Sequence, residues 1–161
     1  MATKDLSAYD HQSVPQAKGM RFGIVVAEWN WEVTGAMAQG AFDTLIRHGA
    51  TEDSIDIKRV PGSFELPLGG QFMAGKGIYD AIILIGCVIQ GETRHFDFIC
   101  QGVTQGTVEL NLKYNLPVIY GVLTTENLQQ AIDRSGGIHG NKGDEAAITA
   151  IKMVSLKREI S

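Results

Sequence analysis

The segment Gly86-Cys-Val-Ile-Gln-Gly-Glu-Thr-Arg-His95 joins an apolar run to a polar turn that ends in a histidine. Those residue types in that order suit proton transfer beside a bound anion. The run Ala81-Ile-Ile-Leu-Ile-Gly86 is too short to cross a membrane and too apolar to be half exposed, so it reads as a central strand of a parallel sheet covered on both faces. The polar turn then lies at the strand's carboxyl end, the edge at which open α/β sheets bind ligands. Gly91-Glu92-Thr93 can turn backbone N–H groups toward an anion where the next helix opens. His95 follows two residues on, and a histidine is a side chain that can give and take protons beside such an anion. Taken alone, a histidine leaves open a helix-capping or partly buried role.

Holding these groups requires a framework, and the apolar periodicity supplies one. Arg21–Ala27 reads as a strand, and Val33, Met37, Phe42, Leu45 and Ile46 recur at helical spacing up to Gly49. Ile55–Val60 is a second strand stopped by Pro61-Gly62, and Phe64–Ala74 is helical despite two mid-segment glycines. After the central strand, Phe96–Lys113 forms a long helix with Phe96, Ile99, Val103, Val108 and Leu112 as its apolar stripe, and Pro117–Leu123 is a fourth strand. Helices at Asn127–Arg134 and Asp144–Lys157 flank a glycine-rich loop. Alternating strands and helices predict an α/β three-layer sandwich: a four-stranded parallel sheet in flavodoxin-like order, helices on both faces, and a ligand crevice at the switch point. Residues 1–20 read as a polar arm that has little to bury alone and is available to a neighbour, and residues 21–161 as a single domain.

Composition narrows the function. A chain of 161 residues fits one domain. A net charge of −4, with no basic stripe interleaved with aromatics, argues against nucleic acid and for a small-molecule partner. Cys87 and Cys100 make neither a disulfide framework nor a zinc pattern. The residues from Met1 to Ser7 lack the apolar core of an export signal and no long apolar span occurs later, so a cytoplasmic protein without membrane association is expected. Gly70-Gln-Phe-Met-Ala-Gly75-Lys76 copies the glycine and lysine spacing of a phosphate-binding loop, but Gly77 replaces the metal-holding Ser/Thr and the segment ends a helix. Cys87 reads as a small apolar filler at a strand end and not as a nucleophile.

Four segments converge on the carboxyl ends of strands: Glu28-Trp29-Asn30, Pro61-Gly-Ser-Phe-Glu65, Gly86–His95 and the loop Arg134–Gly143. Together with Pro117-Val-Ile-Tyr-Gly-Val-Leu-Thr-Thr-Glu126, Ala-Ile-Asp-Arg134 and Gly-Asn-Lys-Gly143, they resemble the 6,7-dimethyl-8-ribityllumazine synthase family of riboflavin biosynthesis, from about Arg21 to Leu156. The resemblance implies a transferase that condenses 5-amino-6-(D-ribitylamino)uracil with 3,4-dihydroxy-2-butanone 4-phosphate, releasing phosphate and water, with no cofactor and no metal. A non-catalytic lumazine- or flavin-binding homologue, or a shell protein, is the alternative; the former needs no His95 and the latter none of the site residues.

The resemblance also implies roles. His95 becomes the proton-transfer residue, because imine formation, phosphate loss and ring closure all move protons. Arg134 becomes the phosphate partner, working with the backbone of Glu92 and Thr93, since a guanidinium makes bidentate contacts and stays charged; a last-turn helix cation is its plainer role. Trp29 and Tyr120, where family enzymes commonly carry phenylalanine, supply flat walls for the pyrimidine. Matched ring or ribityl contacts fall to Asn30, Ser63, Phe64, Glu65, Cys87, Val88 and Ile89. Lys142 reaches the pyrimidine edge and Glu145 orients Arg134, with a solvated Lys–Glu pair as the alternative. Family active sites lie between subunits of a pentamer, with Tyr120, Arg134 and Lys142 from one chain and the Trp29 and His95 sides from the next. The short loop at 134–143 favours closure of twelve pentamers into a sixty-subunit shell, while Pro15 in the arm, which cannot donate to an added strand, pulls against it.

Overall fold

In the computed structural model, which describes residues 9–161, four strands form one parallel sheet in the order β2-β1-β3-β4: β1 Phe22–Ala27, β2 Ile55–Val60, β3 Ala81–Ile89 and β4 Val118–Thr125. The crossovers are α1 Trp31–Arg47, α2 Leu66–Ala74 and α3 His95–Tyr114. After β4 come α4 Leu128–Asp133, a small antiparallel hairpin of β5 Ser135–Gly137 and β6 Gly140–Asn141, and α5 Lys142–Ile160. The expected α/β architecture and strand order are both present.

The sheet is covered twice because its side chains are apolar on both faces. Alternate residues of β1 and β3 point to opposite sides. Phe22, Ile24, Val26, Ile83 and Ile85 pack under α1, α4 and α5, whereas Val25, Ala27, Ile82 and Leu84 pack under α2 and α3. Each fully buried aliphatic side chain contributes about 1.5–3 kcal/mol, so β3, buried from Ala81 to Cys87, anchors both layers. The mid-helix glycines of α2 have a packing reason. A side chain at Gly69 would meet Val25 and Val60 within 3 Å, and one at Gly70 would press Leu84 and Leu110. Helix propensity is given up, about 1 kcal/mol per glycine, to let α2 lie close to the sheet.

Two expectations need correction. The α3 stripe is Ile99, Val103, Thr107, Leu110 and Tyr114; Val108 and Leu112 face outward instead. Thr107 is hidden because its hydroxyl donates to the Val103 carbonyl at 2.8 Å, which removes the cost of burying it. The arm is the second. Order begins well before Arg21, since Val14, Ala17 and Met20 are buried in the α1/α5 layer and Ala17 N–H donates to the His48 carbonyl at 2.7 Å. From Tyr9 on, therefore, the arm packs on its own chain; residues 1–8 lie outside the described residues.

His48, just past α1, fastens this segment. Its buried imidazole lies 3.0 Å from the Tyr9 hydroxyl and stacks with His11 at 6.0 Å between ring centres. Burial, then the neighbouring His11 and Arg47, hold its pKa below the ordinary histidine value. An unfolded chain would take up the proton at roughly pH 6.5 and the folded one only lower, so this contribution to stability is complete above that value and is lost as pH falls through the folded pKa. The unfolding free energy in urea should thus drop between pH 7 and pH 5, and His48→Gln should flatten the drop. Parallel pH dependences in the two proteins would assign the effect to other groups.

Candidate active site

The carboxyl ends of β1, β2 and β3 are tied together by a few polar contacts. Beyond β1, Glu28 N–H donates to the Val60 carbonyl at 2.8 Å and Trp29 N–H to the Pro61 carbonyl at 3.0 Å, so the β1–α1 turn is fixed to the end of β2. Asn30 then takes a left-handed conformation at φ 60°, which asparagine tolerates better than most residues, and starts α1. Its Nδ2 donates to the Cys87 carbonyl at 3.1 Å, and the Ser63 hydroxyl donates to the same carbonyl at 3.4 Å. Gly86 leaves room for this crossing, since a side chain there would lie 2.6 Å from Ser63 Oγ.

These ties shape an open cavity of about 180 Å³ lined by Trp29, Asn30, Ser63, Phe64, Cys87, Val88, Ile89, His95 and Ile99. All but Ile99 are expected site residues; Ile99 comes in because it lies one turn after His95 on the inner side of α3. His95 itself is the first residue of α3 and is exposed, its N–H donating to Thr93 Oγ1 at 3.4 Å. Glu92 and Thr93 lie in the exposed turn before it, outside the cavity lining. Glu65 is not in the lining either; its Oε2 accepts from Gly62 N–H at 3.0 Å, in the turn that carries Ser63 and Phe64. Burial pushes the Cys87 thiol up to about 11, which keeps it protonated and matches its reading as filler.

A second concavity, of about 550 Å³, runs between the free edge of β4 and α5 and is lined by Tyr120, Arg134, Lys142 and Glu145 among others. Arg134 ends α4, where its Nη1 donates to the Gln130 carbonyl at 2.9 Å, and its own carbonyl accepts from Lys142 N–H across the small hairpin at 2.9 Å. Lys142 Nζ binds both Glu145 oxygens, at 2.8 and 3.0 Å. The pair is half-buried and not a solvated one. Tyr120 stands on β4 with its hydroxyl 3.4 Å from Thr104 Oγ1, and burial raises its pKa, so the phenol is neutral at ordinary pH. Among the described residues no group of three or more His, Cys, Asp or Glu could hold a metal.

Apart from Glu65, Glu92 and Thr93, which line neither, the expected residues fall into two sets that line separate concavities of one chain. The 180 Å³ cavity is smaller than the roughly 300–1,000 Å³ typical of a small-molecule site. It brings a histidine and flat apolar walls; the groove brings the arginine, the lysine and a tyrosine.

Comparison with known proteins agrees with the motifs. A sequence profile of the family described as 6,7-dimethyl-8-ribityllumazine synthase matches residues 19–158. Proteins named 6,7-dimethyl-8-ribityllumazine synthase are similar along nearly the whole chain. One from Cytophaga hutchinsonii is 57% identical over 154 residues, 96% of each chain. One from Parabacteroides distasonis is 55% identical over 155 residues, 96% of this chain and 97% of that protein. A third, from Phocaeicola vulgatus, is 54% identical over 159 residues, 99% of this chain and 95% of that protein.

The tie between strand ends is testable through Asn30. Asn30→Ala loses a hydrogen bond and puts a Cβ-bearing residue of poor left-handed tolerance at φ 60°, so it should cost about 2–3 kcal/mol of unfolding free energy. Asn30→Gly loses only the bond and should cost about 1 kcal/mol. Equal losses on chemical denaturation would remove the backbone argument.

Proposed function

This chain belongs to the 6,7-dimethyl-8-ribityllumazine synthase family and is a transferase. From that premise we propose that it condenses 5-amino-6-(D-ribitylamino)uracil with 3,4-dihydroxy-2-butanone 4-phosphate to 6,7-dimethyl-8-ribityllumazine, phosphate and water, the penultimate step of riboflavin biosynthesis. The observation that carries the reading is the division of complementary groups between two concavities of the same chain, neither holding a full set. The protein works as a cytoplasmic homo-oligomer in which the groove of one subunit closes the cavity of the next.

Each step then has a residue suited to it. The pyrimidine lies along Trp29, with the ends of β2 and β3 from Ser63 to Glu65 and from Cys87 to Ile89 reading its edge and ribityl chain, and Asn30 holding that edge in place. The neighbour's Arg134 takes the phosphate in a bidentate contact, with the backbone N–H groups of Glu92 and Thr93 on the other side. The ring amine attacks the ketone, and His95 moves protons as the carbinolamine loses water to form the imine. Elimination expels inorganic phosphate, and the second amine closes the ring by condensing with the remaining carbonyl. The neighbour's Tyr120 covers the ring, and Lys142, kept in place by Glu145, approaches the pyrimidine carbonyl side.

Adding both substrates to purified protein should produce lumazine absorbance and inorganic phosphate in equal amounts; neither would appear if the site only binds. His95→Ala should lower kcat roughly 10²-fold while the Kd for the lumazine product stays within about twofold. Arg134→Ala should weaken the phosphate-bearing substrate about 10- to 100-fold and the pyrimidine little, since only the former loses a charge-assisted contact of about 1.5–3 kcal/mol. Equal weakening of both would assign Arg134 to the fold or the interface.

Assembly has its own readout. The loop after α4 is a tight hairpin with only Ile138 and His139 at its tip, which supports the sixty-subunit shell over the free pentamer. Sedimentation at neutral pH should show particles of megadalton size; pentamers alone, at any phosphate concentration, would contradict the shell.

A further inference from the structure

Two aromatic side chains line the 180 Å³ cavity while remaining largely exposed, Trp29 at 67% and Phe64 at 58%. Each rests on a glycine. A Cβ at Gly62 would stand 2.5 Å from Trp29 Cε3 and 2.6 Å from Cζ3, about 1 Å inside ordinary carbon contact. A Cβ at Gly102, on α3, would stand 3.1 Å from Phe64 Cε2. The first approach requires the ring to move away; the second requires a few tenths of an ångström.

Gly62 is not demanded by its backbone. At φ −131° and ψ 177° it is extended, a conformation open to any residue. Space alone excludes a side chain, and the space is taken chiefly by the Trp29 ring, with Glu65 Oε2 next at 3.2 Å. Nor can the Trp29 backbone yield, because its N–H is bound to the Pro61 carbonyl and Asn30 beside it is bound to the end of β3. A methyl group at position 62 would therefore be relieved by turning the indole about its side-chain torsions, off the β2–α2 turn.

We propose that Gly62 is a positioning residue for heterocycle binding: its missing side chain seats the Trp29 indole and so sets the opening of the aromatic cavity to a flat pyrimidine or its bicyclic product. The ligand assignment rests on the function proposed above. Because the seat acts on binding of the ring and not on proton transfer, its loss raises KM for the pyrimidine and leaves kcat at saturation nearly unchanged.

The chain has two tryptophans, so Trp31→Phe leaves Trp29 as the sole indole reporter. In that background, with no ligand, Gly62→Ala should make Trp29 more accessible to acrylamide quenching. The Kd for 6,7-dimethyl-8-ribityllumazine should rise about tenfold in Gly62→Ala and less than about threefold in Gly102→Ala, with thermal midpoints showing that both proteins are folded. A seat that acts through Trp29 has nothing to displace once the indole is gone, so Gly62→Ala should leave the Kd of Trp29→Ala unchanged within twofold. Lumazine binding by the parent with no quenching or affinity response to Gly62→Ala overturns the proposal, as does an equal loss of affinity in the Trp29→Ala background. A quenching response in a protein that binds no lumazine at all overturns the heterocycle assignment and the function it rests on.

Discussion

One backbone carbonyl, that of Cys87, holds the binding edge of this fold together. It lies at the carboxyl end of the buried central strand and accepts side-chain hydrogen bonds from both Asn30 and Ser63. Those two residues belong to the turns that leave β1 and β2, so three strand ends are locked to one point. The lock has requirements: Gly86 must be bare for Ser63 to reach across, and Asn30 must sit in a left-handed conformation to aim its amide. Trp29 and Phe64 are neighbours of the locked residues in sequence, which is how exposed aromatic rings come to keep fixed places at the cavity rim.

The second consequence is incompleteness. A parallel sheet with a free β4 edge leaves a groove beside α5, and the cations in it are held by their own chain, Arg134 by the Gln130 carbonyl and Lys142 by Glu145. Buried or half-buried cations need partners, and these bonds preorganise them before any ligand arrives. The histidine and the Trp29 and Phe64 walls lie in one concavity, and the arginine, the lysine and Tyr120 in the other. In the assembly proposed above, a heterologous contact in a closed ring would join the two halves at every interface.

Much of this is legible in the chain. The central strand is marked by an uninterrupted β-branched and aliphatic run, and its polar continuation to His95 marks the binding edge. The cavity residues from Trp29 to His95 are legible through motifs. The parts that stay hidden depend on distant contacts. Nothing local signals that Asn30 bonds to a carbonyl 57 positions away, or that Val14, Ala17 and Met20, in a segment with no helical or strand period, cover α1. On α3 the expected stripe drifts off the buried face from Val108 on, because an apolar residue looks the same in sequence whether it faces the core or the outside; Phe98, Val108 and Leu112 are all exposed. The Lys142–Glu145 pair shows the same limit, since spacing allows it without saying that it is half-buried.

The central claim is that a working site needs two chains. Mixing unfolded His95→Ala and Arg134→Ala proteins in equal amounts and refolding them together tests it directly. Each variant is damaged in a different half, so if the halves come from neighbouring subunits about one site in four regains both intact groups, and activity should return to about a quarter of that of the unmutated protein. Activity no higher than the average of the two separate variants, in particles shown to contain both chains, would place His95 and Arg134 in the same subunit's site and contradict the account.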